Sequence, residues 1–426
     1  MARDPSFLER LFKARRDELP ALLWSFAYFF FLLGSYFMMR PVRESIGVAN
    51  GIQNLPWLYT AVFLAMIAMA PIFGWVVKTF PRRVFLPAIY WFSLSNILLF
   101  WALFQAGVAG AWVARAFYIW LSVFNLFAVS VFWSFMADIF TPGQARRLFG
   151  VIAAGGSTGA IVGPAVTAFV APRFGSHSVL PISALMIFGA VLAIHRLRPL
   201  AGSGRGSEPG RPIGGSVLAG ARLALISPYL LGICLLLLIY TLLADLVYFH
   251  QAYVVEASFS DPDRRTAVFA GLDLAVNVLT FGGQFFAVSR LVGKLGIGWT
   301  LALVPFGLAL GLGGLALAPI FATLAVVQIL RRSGEYAIMK PARDMLYSVV
   351  DRETKYKAKN FIDTAVYRGG DFAGSWAHAG LTAAGLSLSA IALLGIPLAL
   401  AWGWLGLRLG RRYVALEAAT GPKDVA

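Results

Sequence analysis

Apolar stretches of about 20 residues recur along the whole chain, each closed off by a short segment rich in Lys, Arg, Gly or Pro. A helix needs roughly 20 consecutive apolar residues to cross a hydrocarbon core of about 30 Å, whereas a helix of a soluble domain needs only one apolar stripe. Read on that basis, spans fall at 21–39, 56–77, 84–104, 112–139, 148–171 and 179–195, then at 228–250, 266–289, 297–317, 319–345, 361–385 and 387–408. The expected fold is all-α and integral to a membrane, with about twelve transmembrane helices in two six-helix bundles.

Composition supports this class: 59% of the residues are hydrophobic and 13% charged, about half the charged share of a typical soluble domain. Lys and Arg number 36 against 20 Asp and Glu, a surplus of +16 that nucleic acid or an anionic membrane surface would attract. Position decides between them. The termini and the loops around Lys78, Arg82 and Arg83, around Arg146 and Arg147, the central linker, around Arg290 and Lys294, and from Arg343 to Lys359 hold 26 of the cations. The opposite loops hold five: Arg40, Arg43, Arg173, Arg264 and Arg265. Such asymmetry places cation-rich loops in the cytoplasm, and an even number of spans brings both termini there. No nucleic-acid partner is expected; the partners are the lipid bilayer and a small-molecule solute, with protein partners unknown. The first 20 residues lack a signal peptide's apolar core, and a bacterial inner membrane is the expected location.

Residues 196–227, which include Gly-Ser-Gly-Arg-Gly-Ser-Glu-Pro-Gly-Arg-Pro, are too rich in Gly, Pro, Ser and Arg to bury a core. They divide the chain into an N-terminal bundle over 1–195, a cytoplasmic linker over 196–227 and a C-terminal bundle with its tail over 228–426. Two six-helix halves joined in this way suit alternating access, the halves rocking about a site near the bilayer midplane.

Intramembrane charges are costly, so those present address a cavity or a partner. The deepest are Arg331, Arg332 and Glu335 in the tenth span, Arg368 and Asp371 in the eleventh, Asp245 in the seventh and Asp273 in the eighth. Arg115 and the trio Arg40, Arg43 and Glu44 lie nearer the outer face. Arg331 and Glu335 are four apart and share a helix face, as do Arg40 and Glu44. Arg331 and Arg332 point about 100° apart, so one of them is left to address the cavity. With Asp138, Lys340 and Asp363 there are seven cations and seven acids, and net charge alone does not favour an anionic solute. Clustering does: Arg331 or Arg332 flanked by Arg40, Arg43 and Arg368 would suit a multivalent anion, since a guanidinium fork matches carboxylate or phosphate. Salt-bridge gating by Glu335 and Asp371 is the plainer reading, and Asp245 or Asp273 could serve as a proton-coupling carboxylate.

Chemistry on the solute finds no support. There is no G-x4-G-K-[ST] loop and no His-Glu-x-x-His, and the four histidines are scattered. One cysteine, Cys234, allows neither a disulfide framework nor a Cys-rich metal site. The chain is not expected to be an enzyme, and neither a cofactor nor a metal is expected.

Two motifs carry a first resemblance. Gly74 to Leu86, with Arg82 and Arg83 in its turn, is similar to the loop signature of major facilitator transporters, with Lys78 and Pro81 where that family usually has Asp and Gly. Gly150, Gly159, Gly163 and Pro164 follow the spacing G-x8-G-x3-G-P of the same superfamily's antiporter signature. Small residues on one face let helices pack closely, and Pro164 bends the span, so a plain packing seam accounts for the same pattern.

The stretches Tyr36-Phe-Met-Met-Arg40-Pro-Val-Arg43-Glu44, Phe132 to Gly150 and Glu335 to Asp363 resemble the ATP/ADP translocase family and its broader bacterial relatives, with a weaker match from Pro228 to Tyr240. The resemblance implies a major facilitator-like nucleotide exchanger, an ATP:ADP antiporter. It also implies a substrate-related cation at Arg43, kept in kind, and carboxylates at the places of Asn125 and Tyr248. A family lysine aligns with Asp371, reversing the sign. The expected function is thus a secondary transporter exchanging nucleotides or other organic anions. The alternative is a proton-coupled exporter of amphipathic small molecules, and a non-transporting receptor is a third class.

Overall fold

The computed structural model of the protein describes residues 15–80, 82–108, 110–199, 217–286 and 288–420. Among the described residues every regular element is helical and no strand occurs. The helices are α1 (Leu19–Ala49), α2 (Leu55–Thr79), α3 (Arg82–Gln105), α4 (Ala111–Ile139), α5 (Pro142–Phe174), α6 (Val179–Leu197) and α7 (Val217–Ile226). They continue as α8 (Pro228–Ser258), α9 (Pro262–Phe286), α10 (Val288–Leu317), α11 (Phe321–Gly334), α12 (Lys340–Met345), α13 (Arg352–Phe361), α14 (Tyr367–Ala383) and α15 (Leu388–Thr420). Short π-helical turns, Glu335–Met339 and Ile362–Val366, join α11 to α12 and α13 to α14.

Among the described residues, ten helices are long and apolar enough to cross a membrane. The two remaining long helical stretches, 321–345 and 352–383, each carry a π turn and charged residues, Arg331, Arg332 and Glu335 in the first and Asp363, Arg368 and Asp371 in the second, and with them the helix pattern matches the expected twelve. Large apolar side chains face outward, among them Leu317 at 90% exposure, Leu310 at 81% and Trp112 at 78%. In water each would forfeit roughly 1.5–3 kcal/mol of burial energy, and in lipid none does.

Three boundaries differ from the sequence reading for identifiable reasons. The first helix, expected to stop at residue 39, runs through Pro41 to Ala49, because neighbouring helices stabilise a proline-containing turn inside a bundle. Arg40, Arg43 and Glu44 are therefore helical residues rather than loop residues. The fifth helix starts earlier, at Pro142, where Thr141 and Gln144 form a reciprocal capping box that satisfies its first N–H groups. Within the stretch expected as linker, Val217–Ile226 is helical and Gly220 lies against the Lys357 carbonyl, a 2.5 Å approach for an added methyl; residues 200–216 of it lie outside the described residues.

The chain packs as two units, one of Met1–Asn50, Leu64–Gly210 and Phe259–Leu274, the other of Gly51–Phe63, Arg211–Ser258 and Ala275–Ala426. In the first, Leu22, Tyr28, Leu32, Phe117, Phe132 and Ile187 form part of a buried aromatic-rich core. Its closest helix contact is a glycine seam. Gly155, Gly159 and Gly163 of α5, one turn apart, lie against the backbone of Phe26, Phe30 and Gly34 on α1. Thr167, one turn further, donates to the Met38 carbonyl at 2.8 Å. Absent side chains let the backbones touch, which is how helices associate when lipid is as apolar as leucine.

In the second unit, Leu237, Leu243, Leu312, Tyr347 and Trp402 belong to the core. The same small-residue device recurs where Gly370 and Gly374 of α14 lie against the side chains of Thr241 and Asp245 on α8. Gly296, with φ of 77°, interrupts α10. That left-handed turn, which only glycine adopts without strain, lets the longer part of the helix begin where the sequence reading starts its ninth span.

Candidate functional site

In the first unit, polar side chains gather at the end of α1. Arg40 lies 3.7 Å from Glu44 and 3.5 Å from Asp273 of α9. Arg43 pairs with Glu44, donates to the Ser122 hydroxyl on α4 at 3.1 Å and stands over the Tyr118 ring at 5.1 Å. Tyr118, Ser122 and Asn125 occupy positions four and three apart on α4 and so share a face. Asn125 is half-buried there. Glu44 and Asp273 are both buried, so these guanidiniums are oriented before any ligand arrives.

The second unit holds a deeper cluster. Asp245 is 5% exposed and lies within electrostatic reach of Asp371, Arg331 and Arg368. Arg368 donates to Asp371 at 3.1 Å, one turn along α14. Arg331 donates through Nε and Nη2 to the Gln328 side-chain oxygen at 3.1 and 2.8 Å, and Gln328 in turn donates to Gln251 of α8. Tyr240 and Tyr367 border the cluster, their rings 6.3 Å apart. Asp245 thus has two guanidiniums and a second carboxylate from two other helices within electrostatic reach, an arrangement that can meet an anion with charge-assisted hydrogen bonds.

Nearer the end of the same unit, Arg343 lies 3.9 Å from Glu335 and 3.7 Å from Asp363. Each acid stands in one of the two π turns, and Arg343 and Glu335 are buried. Extra backbone turns of this kind cluster at functional positions in membrane and soluble helices alike.

The sequence-derived residues are therefore distributed between the units. Arg40 and Arg43 come together in the first, whereas Asp245, Arg331, Arg368 and Asp371 come together in the second. Arg332 is buried beside Arg331. Tyr248 packs on Tyr59, ring centroids 5.8 Å apart, in an aromatic group with Phe249. Gly159 and Gly163 lie in the seam and Pro164 beside them is buried, while a methyl on Gly150 would meet open space. The side chains of Arg82 and Arg83 lie outside the described residues. Arg331 and Glu335, expected to share a helix face, take different partners, because the π turn begins at Glu335 and Arg343 outweighs Arg331 there. Sequence reasoning counted Arg343 among loop cations. Its offset of eight residues from Glu335 lies about 80° around an ideal α-helix, and only the π turn between them brings the two together, so sequence spacing carried no signal for it.

Comparison with known proteins agrees with this architecture. Residues 24–339 match the family model of the Major Facilitator Superfamily. The ADP,ATP carrier protein 1 of Chlamydia muridarum is 21% identical over 492 aligned residues, which cover 96% of this chain and 91% of that protein. The plastidic ATP/ADP-transporter of Solanum tuberosum is 23% identical over 84% of this chain and 62% of its own length. Among solved structures, the POT family transporter PepTSo superposes with a TM-score of 0.67 over 93% of this chain and 98% of its own, at 14% identity. The matched family model covers most of the sequence and the fold agrees with it: the chain is an integral membrane transporter belonging to the Major Facilitator Superfamily.

Proposed function

We propose that the protein exchanges nucleotides or related organic anions across a bacterial inner membrane by alternating access, with both termini in the cytoplasm. The observation that carries this reading is the convergence of Arg331 and Arg368, from two different helices, within electrostatic reach of the same buried Asp245. Guanidiniums are expensive at that depth, and a phosphate or carboxylate would repay their desolvation by bidentate hydrogen bonding. Distant similarity to ADP,ATP carriers over nearly the full chain supports the nucleotide class. The replacement of the family's charges by Asn125, Tyr248 and Asp371 argues for a solute that differs in detail from ATP and ADP. In this reading Arg40, Arg43, Asn125, Asp245, Tyr248, Arg331, Arg332 and Arg368 contact the solute. Arg82, Arg83, Gly159, Gly163, Pro164, Glu335 and Asp371 act in gating.

Purified protein in proteoliposomes tests this directly. Labelled ATP or ADP outside should enter faster when unlabelled nucleotide is loaded inside. Uptake indifferent to lumenal nucleotide, or absent for every nucleotide and organic anion tried, would set the reading aside.

A further inference from the structure

Arg331 differs from Arg368 and Arg343 of the same unit in what it is hydrogen-bonded to. Arg368 donates to the carboxylate of Asp371, and Arg343 lies 3.9 Å from that of Glu335. Arg331 instead donates through Nε and Nη2 to a neutral oxygen, the side-chain carbonyl of Gln328 one turn earlier on α11, at 3.1 and 2.8 Å. Gln328 then donates from Nε2 to the side-chain oxygen of Gln251 on α8. All three side chains are buried. A guanidinium has donors only, so it dictates the orientation of both amides: the Gln328 carbonyl must face Arg331, its NH2 must face Gln251, and the Gln251 carbonyl must accept. Flipping either amide would set donor against donor in a low-dielectric interior.

From this geometry we propose that Gln251 and Gln328 are positioning residues, which hold Arg331 by one edge so that the opposite edge of its fork, Nη1 with Nη2, meets the anionic group of the solute at full charge. The proposal rests on the anion reading of this cluster and deepens it, by naming what sets the strength and direction of the contact. A guanidinium binds phosphate or carboxylate through two parallel N–H bonds, along either its Nε edge or its end. With the Nε edge committed to Gln328, the end is what remains for the solute, and its direction of approach is fixed. A carboxylate in place of Gln328 would hold the arginine as firmly but would offset its charge, and the solute would have to compete with it. An amide supplies the geometry without the charge. A long side chain ordered before the solute arrives also loses less entropy on binding it.

Half-saturation of ATP and ADP counterflow, measured on the full chain in proteoliposomes at matched incorporation, tests the pair through two variants that add the same charge. Gln328→Glu keeps the acceptor but pairs directly with Arg331, so apparent affinity should fall on the order of tenfold to a hundredfold while the maximum rate falls less. Gln251→Glu places the charge one residue further along the relay, still accepts from Gln328, and should weaken affinity less. Gln328→Leu, which removes the hold without adding charge, should also raise half-saturation. A reading free of substrate comes from magnetic resonance of isotope-labelled arginine in nanodiscs: the Nε–H signal that Arg331→Lys removes should shift in Gln328→Leu. The proposal is overturned if Gln328→Glu has wild-type affinity, if Gln251→Glu is the more damaging of the two, if the variants lose maximum rate at unchanged half-saturation, or if the Nε–H signal ignores Gln328→Leu. If neither nucleotide moves in the wild type, the anion reading is what fails, and the Nε–H signal still decides whether Gln328 holds Arg331.

Discussion

Gly163 on α5 lies against Gly34 on α1: a methyl group placed on Gly163 would sit 2.6 Å from the Gly34 carbonyl oxygen. Neither backbone can retreat, because Gly155 and Gly159 hold the same two helices together on the preceding turns. Spacing alone does not distinguish a transport signature from a packing seam, and the contact geometry makes the seam concrete.

Leucine at Gly159 or Gly163 should therefore separate α1 from α5, destabilise the protein by about 3 kcal/mol or more and abolish transport while sparing membrane insertion. Leucine at Gly150, which faces open space, should change stability by no more than about 0.5 kcal/mol. Thermal unfolding of the three variants in detergent checks both statements. Equal melting for all three would contradict the seam.

How much of this was legible beforehand differs between fold and site. Ten apolar spans followed from run length, because a bilayer fixes helix length as no soluble core does, and the two charge-bearing stretches are less apolar than that. The clustering of Asp245 with Arg331, Arg368 and Asp371 was only partly legible: the sequence marks each as an intramembrane charge, but which helix faces which depends on tertiary crossing. The role of Arg343 was hidden because positive-inside counting assigns an Arg near a span end to the loop. The π turns were hidden too, since an inserted residue leaves no periodic trace.

Arg343 lies between the buried Glu335 and the half-buried Asp363. Arg343→Gln leaves Glu335 and Asp363 without it and should cost about 3–5 kcal/mol of stability, as loss of one partner in a buried ion pair does. Arg331→Gln, whose hydrogen-bond acceptor is the neutral Gln328, should cost less. Thermal melting of the two variants side by side is the check, and a wild-type melt for Arg343→Gln would contradict the triad.

Glu18 precedes α1 and accepts from Arg147 at 2.8 Å. Burial pushes its carboxyl up, but hydrogen bonds from the Arg147 side chain, the Arg15 backbone and Gln144 outweigh burial and hold it below the ordinary value of 4.5. A carboxyl lowered on folding binds its proton less readily in the folded than in the unfolded chain. Its stabilisation is therefore present above the ordinary value and is lost as pH falls through the lowered one. Wild type should melt above Glu18→Gln at pH 7, and the gap should narrow as pH falls below the ordinary value of 4.5. A gap that persists into acid would contradict this account.

Both termini should lie in the cytoplasm, since loop cations divide 26 to five. A C-terminal tag should resist protease added to right-side-out cells. Cleavage from outside would reverse the orientation.

The central claim is that intramembrane arginines bind the solute's anionic part, and the most direct measurement is half-saturation of nucleotide counterflow in Arg43→Gln, Arg331→Gln, Arg332→Gln and Arg368→Gln at matched membrane expression. Losing a charge-assisted contact costs about 1.5–3 kcal/mol, so apparent affinity should fall on the order of tenfold to a hundredfold in Arg331→Gln or Arg368→Gln and in Arg43→Gln. Wild-type affinity in all four variants would contradict the claim and leave these cations as gates alone.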